Sequence, residues 1–595
     1  MQAAADQFYT RAVSQLNAYF PMATITMSSR DPPFVTPTIK AMLREKNQLM
    51  RAGKVERAGA LSLQIGQLIT PANSQWLAKS DPGSAGGAKA MLAKVNSITG
   101  KGARCIATLP DCATMNAHYA AISTDLGYEE PQRKNSCVDI GLASNWPSEY
   151  AIFNVLDHLK PTATGPDGLP SWFLKLAAPA YSKPVAHLFS ISLTNSRVPT
   201  QWKEACITPV PKVPGATAAG DFRPISLTSQ LSRIFEKLIN RDFLYPMLES
   251  EPAYDLFADQ YAFRPNRSTT AALIAILTDI TAMLENNRYV HIIALDFSKA
   301  FDTVRHSTLM NKVASLPLSE NVYNWIVDYL HRRSHCTKCN DATSTPLEIN
   351  ASIVQSSAIG PMAFIMNASD LRPSVSGNKM HKYADDTYLL LPASNSNTIT
   401  AELTQVGQWA ASNNLKLNTN KSTEMIVRNK RAPTIDSVPP PPLGVVRAVY
   451  LDILGVKIQE NLSMAGHVES LISCANQNLY ALKTLKSHGL PDAQLINVCR
   501  ATLIARILYA SPAWYGFSSA ADRARLQAIV TKAARWGVWA KNGPTLDEMF
   551  CAADSSLFRK VLNDRFHVLH RTLPPIKSHG HNMRRRAHNR ILRPH

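Results

Sequence analysis

The chain has no apolar run of the roughly 18 residues that a membrane-spanning helix needs, so no membrane partner is expected. It carries no secretory signal pattern. Its nine cysteines form no framework: Cys336-Thr337-Lys338-Cys339 is a lone CxxC beside His335, with no second pair at zinc-finger spacing. These absences argue against a disulfide-stapled secreted domain and for a reducing intracellular compartment. No internal repeat is visible. Acidic residues are also short, 44 against 63 basic, for a net charge of +19 and a pI near 9.5. That balance suits a polyanionic partner, bound with an affinity that falls steeply with salt.

What is present begins with Tyr383-Ala384-Asp385-Asp386, between two runs that read as the arms of a β-hairpin, Lys379–Lys382 and Thr387–Leu391. An acid pair at a hairpin tip can help hold two divalent cations about 3.5–4 Å apart, as in-line phosphoryl displacement requires. Taken alone, Asp-Asp is equally a polar turn. A third acid shifts the balance. Tyr289–Leu295 is a continuous apolar, β-branched run, the pattern of a strand buried on both faces. It ends in Asp296, where a carboxylate is poorly placed for packing and well placed for a metal. Ser298 reads as the N-cap of a helix that follows directly.

At this point the chain resembles the reverse transcriptases of non-LTR (LINE-type) retrotransposons, closest to the jockey-like group. Leu295–Val304 followed by Tyr383–Asp386 carries the likeness, which extends over about residues 148–570. Lys160–Pro170 is similar to the family's opening motif. Trp202–Ala205, Pro209–Lys212 and Phe222–Leu227 match its finger motifs, and Gln260–Thr269 follows in the expected place. Trp409, Asn414–Asn418 and Lys421 match the next palm motif, and Leu454-Gly455-Val456 the one after, read as a strand behind a stiff Pro439–Pro442 connector.

The resemblance implies a right-hand polymerase of α+β class, with fingers, a palm built on an antiparallel sheet, and a helical thumb. At 595 residues the chain is expected to divide into a helical N-terminal extension (1–147), fingers and palm (148–470), a thumb (471–570) and a basic tail (571–595). Within the extension, Thr36 to about Ile69 reads as one basic helical stretch, and Ser80–Gly87 as a turn-rich break. The extension shows none of the His/Asp/Asn spacing of the endonuclease that complete elements carry, so that activity is expected to be absent.

It also implies roles for single residues. Asp296, Asp385 and Asp386 would hold two Mg²⁺ ions, with the Phe297 carbonyl as a further ligand and Mn²⁺ as a possible substitute. Phe301 resembles the aromatic gate that excludes a ribose 2′-hydroxyl; a core aromatic on the motif helix is the other reading. Lys212 and Arg223 would meet the incoming triphosphate, or are ordinary solvated charge. Gln355 would cradle the nucleotide and template base. Lys421 is a candidate general acid for pyrophosphate and equally a structural lysine. The implied partners are an RNA template, a DNA primer or target and dNTPs, in nucleus or cytoplasm. One departure stands out: Ser356 occupies the place of the family's glycine after Gln355. It keeps a second reading open, a decayed element that only binds nucleic acid.

Overall fold

The computed structural model describes residues 1–21, 37–78, 109–135, 146–429 and 439–573, apart from positions 252, 341, 443 and 488. The break expected at Ser80–Gly87 lies outside these residues, as does most of the basic tail. In the N-terminal region the described residues form α1 (Gln2–Tyr19), α2 (Pro37–Arg51), α3 (Val55–Ala78) and α4 (Cys112–Ile122). The single helix expected from Thr36 to about Ile69 is therefore two. Gly53 takes φ +73°, a conformation open to glycine that ends α2 and turns the chain back along it.

Helix α1 belongs to the main core. Its Ala5, Tyr9 and Ala12 are buried among residues from far downstream. The Tyr9 hydroxyl lies 2.9 Å from Ser229 Oγ and accepts a hydrogen bond from the Trp202 indole at 2.9 Å. It also reaches Asp167 in the opening motif, at 3.3 Å. Gly165 of that motif passes so close to the Thr228 carbonyl that a Cβ would sit 2.5 Å from its oxygen, which excludes any other residue.

Helices α5 (Glu149–Asp157) and α6 (Ala178–Thr194) lead into the antiparallel hairpin of β1 (Glu204–Pro211) and β2 (Phe222–Thr228), followed by α7 (Gln230–Ile239) and α8 (Thr269–Asn286). Next come β3 (Tyr289–Leu295), the two-residue β4 (Phe297–Ser298), α9 (His306–Ala314), α10 (Glu320–Leu330) and β5 (Arg333–Cys339), which joins β1 in parallel. The CxxC lies along β5, so Cys336 pairs with Cys206 across the strands and not with a metal-site partner. Then follow α11 (Gly360–Asn367), β6 (Lys379–Tyr383), β7 (Asp386–Pro392), α12 (Ile399–Ser412), β8 (Lys416–Leu417) and β9 (Thr423–Arg428). The last strands are β10 (Val446–Arg447), β11 (Tyr450–Ile453) and β12 (Val456–Gln459). Leu454 and Gly455, expected in a strand, are instead the turn between β11 and β12, at φ +47° and +82°. Helices α13 (Ala465–Ser487), α14 (Asp492–Cys499), α15 (Ala520–Arg535) and α16 (Leu546–Asn563) close the described fold.

The central sheet has the order β10-β9-β3-β7-β6. Its two faces feed two different cores. Val290 and Ile292 of β3, with Tyr388 and Leu390 of β7, pack against α8 and the C-terminal helices. Ile293 and Leu295, with Leu389 and Leu391, pack on the other side against α7, α10 and α11. Both faces are covered, so the period-two alternation of β3 is filled by apolar residues on every position but His291.

Ser298 does not cap a helix. It lies in β4, and Lys299 then takes φ +53° in a turn, so the next helix begins only at His306. The expected N-cap fails because residues 297–298 are drawn into pairing with Leu417 and Lys416. His306 donates from Nε2 to the Ser352 carbonyl at 2.8 Å, and burial pushes its pKa down to about 4. The unfolded ring titrates near 6.5, so it binds a proton that the folded ring refuses. This contribution to stability is intact above pH about 6.5 and is lost as pH falls toward about 4, by up to about 1.4 kcal/mol per pH unit. His306→Gln keeps a donor for Ser352 and removes the titration; its unfolding free energy, measured by urea denaturation, should fall less steeply on acidification. Parallel pH curves for the two proteins would refute this.

Candidate active site

Strands β3 and β7 pair in an antiparallel register that sets Leu295 opposite Thr387. One step further along, the same register carries Asp296 opposite Asp386. Side chains opposed in this way have Cβ atoms about 4.5–5.5 Å apart. Asp385 and Asp386 come from the β6–β7 hairpin, whose strands close with Tyr383 paired to Asp386. Two residues make the turn, and Ala384 takes φ +58° in it, an uncommon conformation for alanine of the kind that collects at functional sites.

The three acids feel one another. Partial withdrawal from water pushes the Asp386 carboxyl up to about 6, with Asp385 and then Asp296 adding to the effect. Asp385 is raised in the same way, first by burial and then by Asp296. Such a concentration of negative charge is relieved by a divalent cation. Among the described residues, no group of three or more acidic, histidine or cysteine side chains is placed to hold a metal ion by itself. The main chain of Asp296 is held on both sides: its N–H donates to Ser422 Oγ at 3.2 Å, and its carbonyl accepts from Asn418 N–H at 2.8 Å. The pairing of β4 with β8 extends this clamp.

The other expected residues are distributed as follows. Phe297 is buried and packs edge-on against Trp409, with ring centres 5.9 Å apart. Phe301 lies in the turn after β4, not on a helix, and stacks on Phe364 of α11 at 4.5 Å. Its carbonyl accepts from Ile353 N–H at 2.7 Å, which joins this turn to the segment carrying Gln355. Gln355 donates to Asp302 at 2.6 Å. Ser356 takes φ +73° with its side chain exposed, so serine here adopts the backbone that the family's glycine adopts freely. Lys212 follows β1 and Arg223 lies in β2; both are exposed at the turn end of that hairpin. Lys212 donates to the Gly220 carbonyl at 2.8 Å; burial raises the Asp302 pKa, and the Gln355 hydrogen bond, Lys299 and Lys212 oppose that rise. Lys421 is exposed in the β8–β9 turn, and the structure brings no acidic partner to it among the described residues.

Residues 210–458 match the family model described as reverse transcriptase (RNA-dependent DNA polymerase). The chain is 25% identical over 375 residues to the probable RNA-directed DNA polymerase from transposon BS of Drosophila melanogaster, covering 59% of this chain and 40% of that one. It is 27% identical over 281 residues to the RNA-directed DNA polymerase from mobile element jockey of the same fly, covering 45% and 30%. The matched stretch is similar to reverse transcriptases, those of mobile elements among them. A solved telomerase from Candida tropicalis, in complex with a fragment of telomeric RNA, is 10% identical with a TM-score of 0.35, over 66% of this chain and 71% of that one. The chain spans two-fifths or less of the length of these two fly relatives. The central sheet, from Tyr289 to Arg447, lies wholly within the matched residues.

Sequence reasoning assigned no role to the residues that anchor the palm hairpin. Lys382 is buried, and its ammonium donates to the carbonyls of Ala368 and Leu371 at 2.8 and 2.9 Å while pairing with Asp259 at 3.0 Å. Gln260 accepts at Oε1 from the N–H groups of Ala384 and Ala262, at 3.2 and 3.0 Å. Asp259 and Gln260 thus tie the turn itself to the segment before α8. The Gln260–Thr269 motif was the available signal, and Ser268 within it caps α8. Lys382→Met leaves the carbonyls of Ala368 and Leu371 without their donor and the half-buried Asp259 with only Arg372, at 3.9 Å, and is expected to destabilise the protein by about 1–3 kcal/mol in denaturant unfolding. Replacing Asp259 by Leu in the same chain should recover part of that loss; a double variant no more stable than the single one would contradict the pairing.

Proposed function

We propose that this chain is an RNA-directed DNA polymerase of a non-LTR retrotransposon, adding dNTPs to a primer 3′-hydroxyl on an RNA template by two-metal nucleotidyl transfer. The observation that carries this reading is the β3–β7 register, which ends at Leu295 opposite Thr387 and so leaves Asp296 next to the one and Asp386 next to the other, with Asp385 in the hairpin turn. Asp296, Asp385 and Asp386 would hold two Mg²⁺ ions, joined by the Phe297 carbonyl, with Mn²⁺ as a substitute. Bound there, the ions supply Lewis-acid activation of the 3′-hydroxyl and charge stabilisation at the departing pyrophosphate.

The protein's own contribution is mostly positioning and preorganised charge. Phe301, held against Phe364, would close the pocket to a ribose 2′-hydroxyl. Lys212 and Arg223, at the turn end of the β1–β2 hairpin, would meet the triphosphate, while Gln355 would cradle the nucleotide. Lys421 would donate a proton to pyrophosphate. The division into N-terminal extension, fingers and palm, thumb and basic tail at residues 147, 470 and 570 belongs to the same proposal, as do a DNA primer or target and a nuclear or cytoplasmic location.

Primer extension on an RNA template with dNTPs and Mg²⁺ tests the reading. Asp385→Asn or Asp386→Asn should lower the rate by at least about 10²–10³-fold, the scale of losing one preorganised electrostatic group. Synthesis unchanged in both variants would sink the site assignment. Because Ser356 already holds a positive φ with its side chain in solvent, Ser356→Gly should leave the extension rate nearly unchanged. A large gain in rate would instead mark the natural chain as a decayed copy.

A further inference from the structure

Asp302 has no part in the site described so far, yet it is the most constrained carboxylate near it outside the three palm acids. It sits one residue beyond Phe301, in the turn closed by Asp302 N–H donating to the Lys299 carbonyl at 2.8 Å. The turn is bonded to the facing segment at two further points: Ile353 N–H to the Phe301 carbonyl at 2.7 Å, and Ser352 N–H to the Val304 carbonyl at 3.0 Å. Between these backbone bonds, Gln355 Nε2 donates to Asp302 Oδ1 at 2.6 Å. The far side of the pair meets a small internal cavity lined by Tyr119, Arg333 and His335, so it is not a surface contact free to come apart.

A glutamine amide in isolation can present either its oxygen or its nitrogen to a ligand. Here Asp302 Oδ1 accepts from the amide nitrogen, and that contact removes the freedom. With Nε2 committed to Asp302, the Gln355 carbonyl Oε1 is left as the group that can accept, and no donor among the described residues engages it. We propose that Asp302 is a positioning residue for nucleotide capture: it locks the Gln355 amide so that Oε1 is presented to a hydrogen-bond donor on the incoming deoxynucleoside triphosphate. The donors such a ligand offers are its sugar hydroxyl and the N–H groups of its base. The same contact occupies Asp302 itself, which therefore faces Gln355 and not the ribose. This inference rests on the polymerase reading above and adds to it a residue that acts through Gln355.

The test is steady-state primer extension by the full chain, with dNTP KM and kcat measured separately for Asp302→Ala, Asp302→Asn, Gln355→Ala and the Asp302→Ala/Gln355→Ala double variant. Losing a hydrogen bond to a charged group should raise dNTP KM by about tenfold in Asp302→Ala, with kcat nearly preserved. Gln355→Ala should show a similar rise, and the double variant should be no worse than the worse single one, since the two act as a unit. Asp302→Asn keeps the shape but offers a donor as well as an acceptor, so Gln355 loses its preferred orientation and KM should rise to an intermediate value. A KM equal to that of the natural chain in Asp302→Asn overturns the orientation argument. Losses that multiply in the double variant, or a fall in kcat at unchanged KM, mark Asp302 as merely structural and overturn the proposal. A natural chain inactive in extension defeats the polymerase reading and this inference with it; an active chain with unmoved KM in Asp302→Ala defeats this inference alone.

Discussion

The pairing of β3 with β7 is the constraint on which the rest of the molecule depends. Its register decides at once which residues enter each core and where the acids meet. A slip by one residue would send Val290 and Ile292 to the opposite face and separate Asp296 from Asp386. The apolar filling of both faces makes such a slip costly, because two independent cores would each lose their partners. Burial of the strands thus fixes the position of three charges that themselves contribute nothing to packing. The charges work against the fold, as the raised pKa of Asp386 indicates, and are tolerated because the hydrophobic strands beneath them leave no alternative register.

Around that pair, the site is held mainly by backbone hydrogen bonds from distant segments. Asn418 and Ser422 grip the main chain of Asp296, while Gln260 grips that of Ala384. Backbone contacts of this kind position a side chain without competing for its oxygens. The carboxylates therefore stay open to ligands. The buried Lys382 adds a charge-based anchor at the base of the same hairpin, where its ammonium satisfies two carbonyls at the end of α11 and the loop after it.

The parts of this arrangement that could be read from the sequence are those written in local periodicity. The uninterrupted run Tyr289–Leu295 announced a strand covered on both faces, and it is one. The Lys379–Leu391 segment announced a hairpin with its acids at the tip, and the helical character of the region after 471 was equally plain. Misreadings came where a local signal was overruled by a distant partner. Ser298 has the chemistry of an N-cap, but Lys416 and Leu417 claim its neighbourhood as a strand. Leu454-Gly455 follows an apolar stretch, yet the positive φ of both residues makes it a turn. The Asp259–Lys382 and Asp302–Gln355 pairs leave no trace in any window of sequence, because each joins segments that only the folded chain brings together.

The burial of α1 bears on how the chain can be subdivided. The family-model match starts at residue 210, which suggests a convenient place to cut. Yet Tyr9 fills a polar niche between Trp202, Asp167 and Ser229, and Ala5 and Ala12 complete the apolar surface around it. A fragment beginning at the likeness would expose Ser229 at the head of α7 together with the hydrophobic ground that α1 occupies. The folded unit defined by physical contact is therefore longer than the one defined by that match, and it reaches back to the fifth residue of the chain.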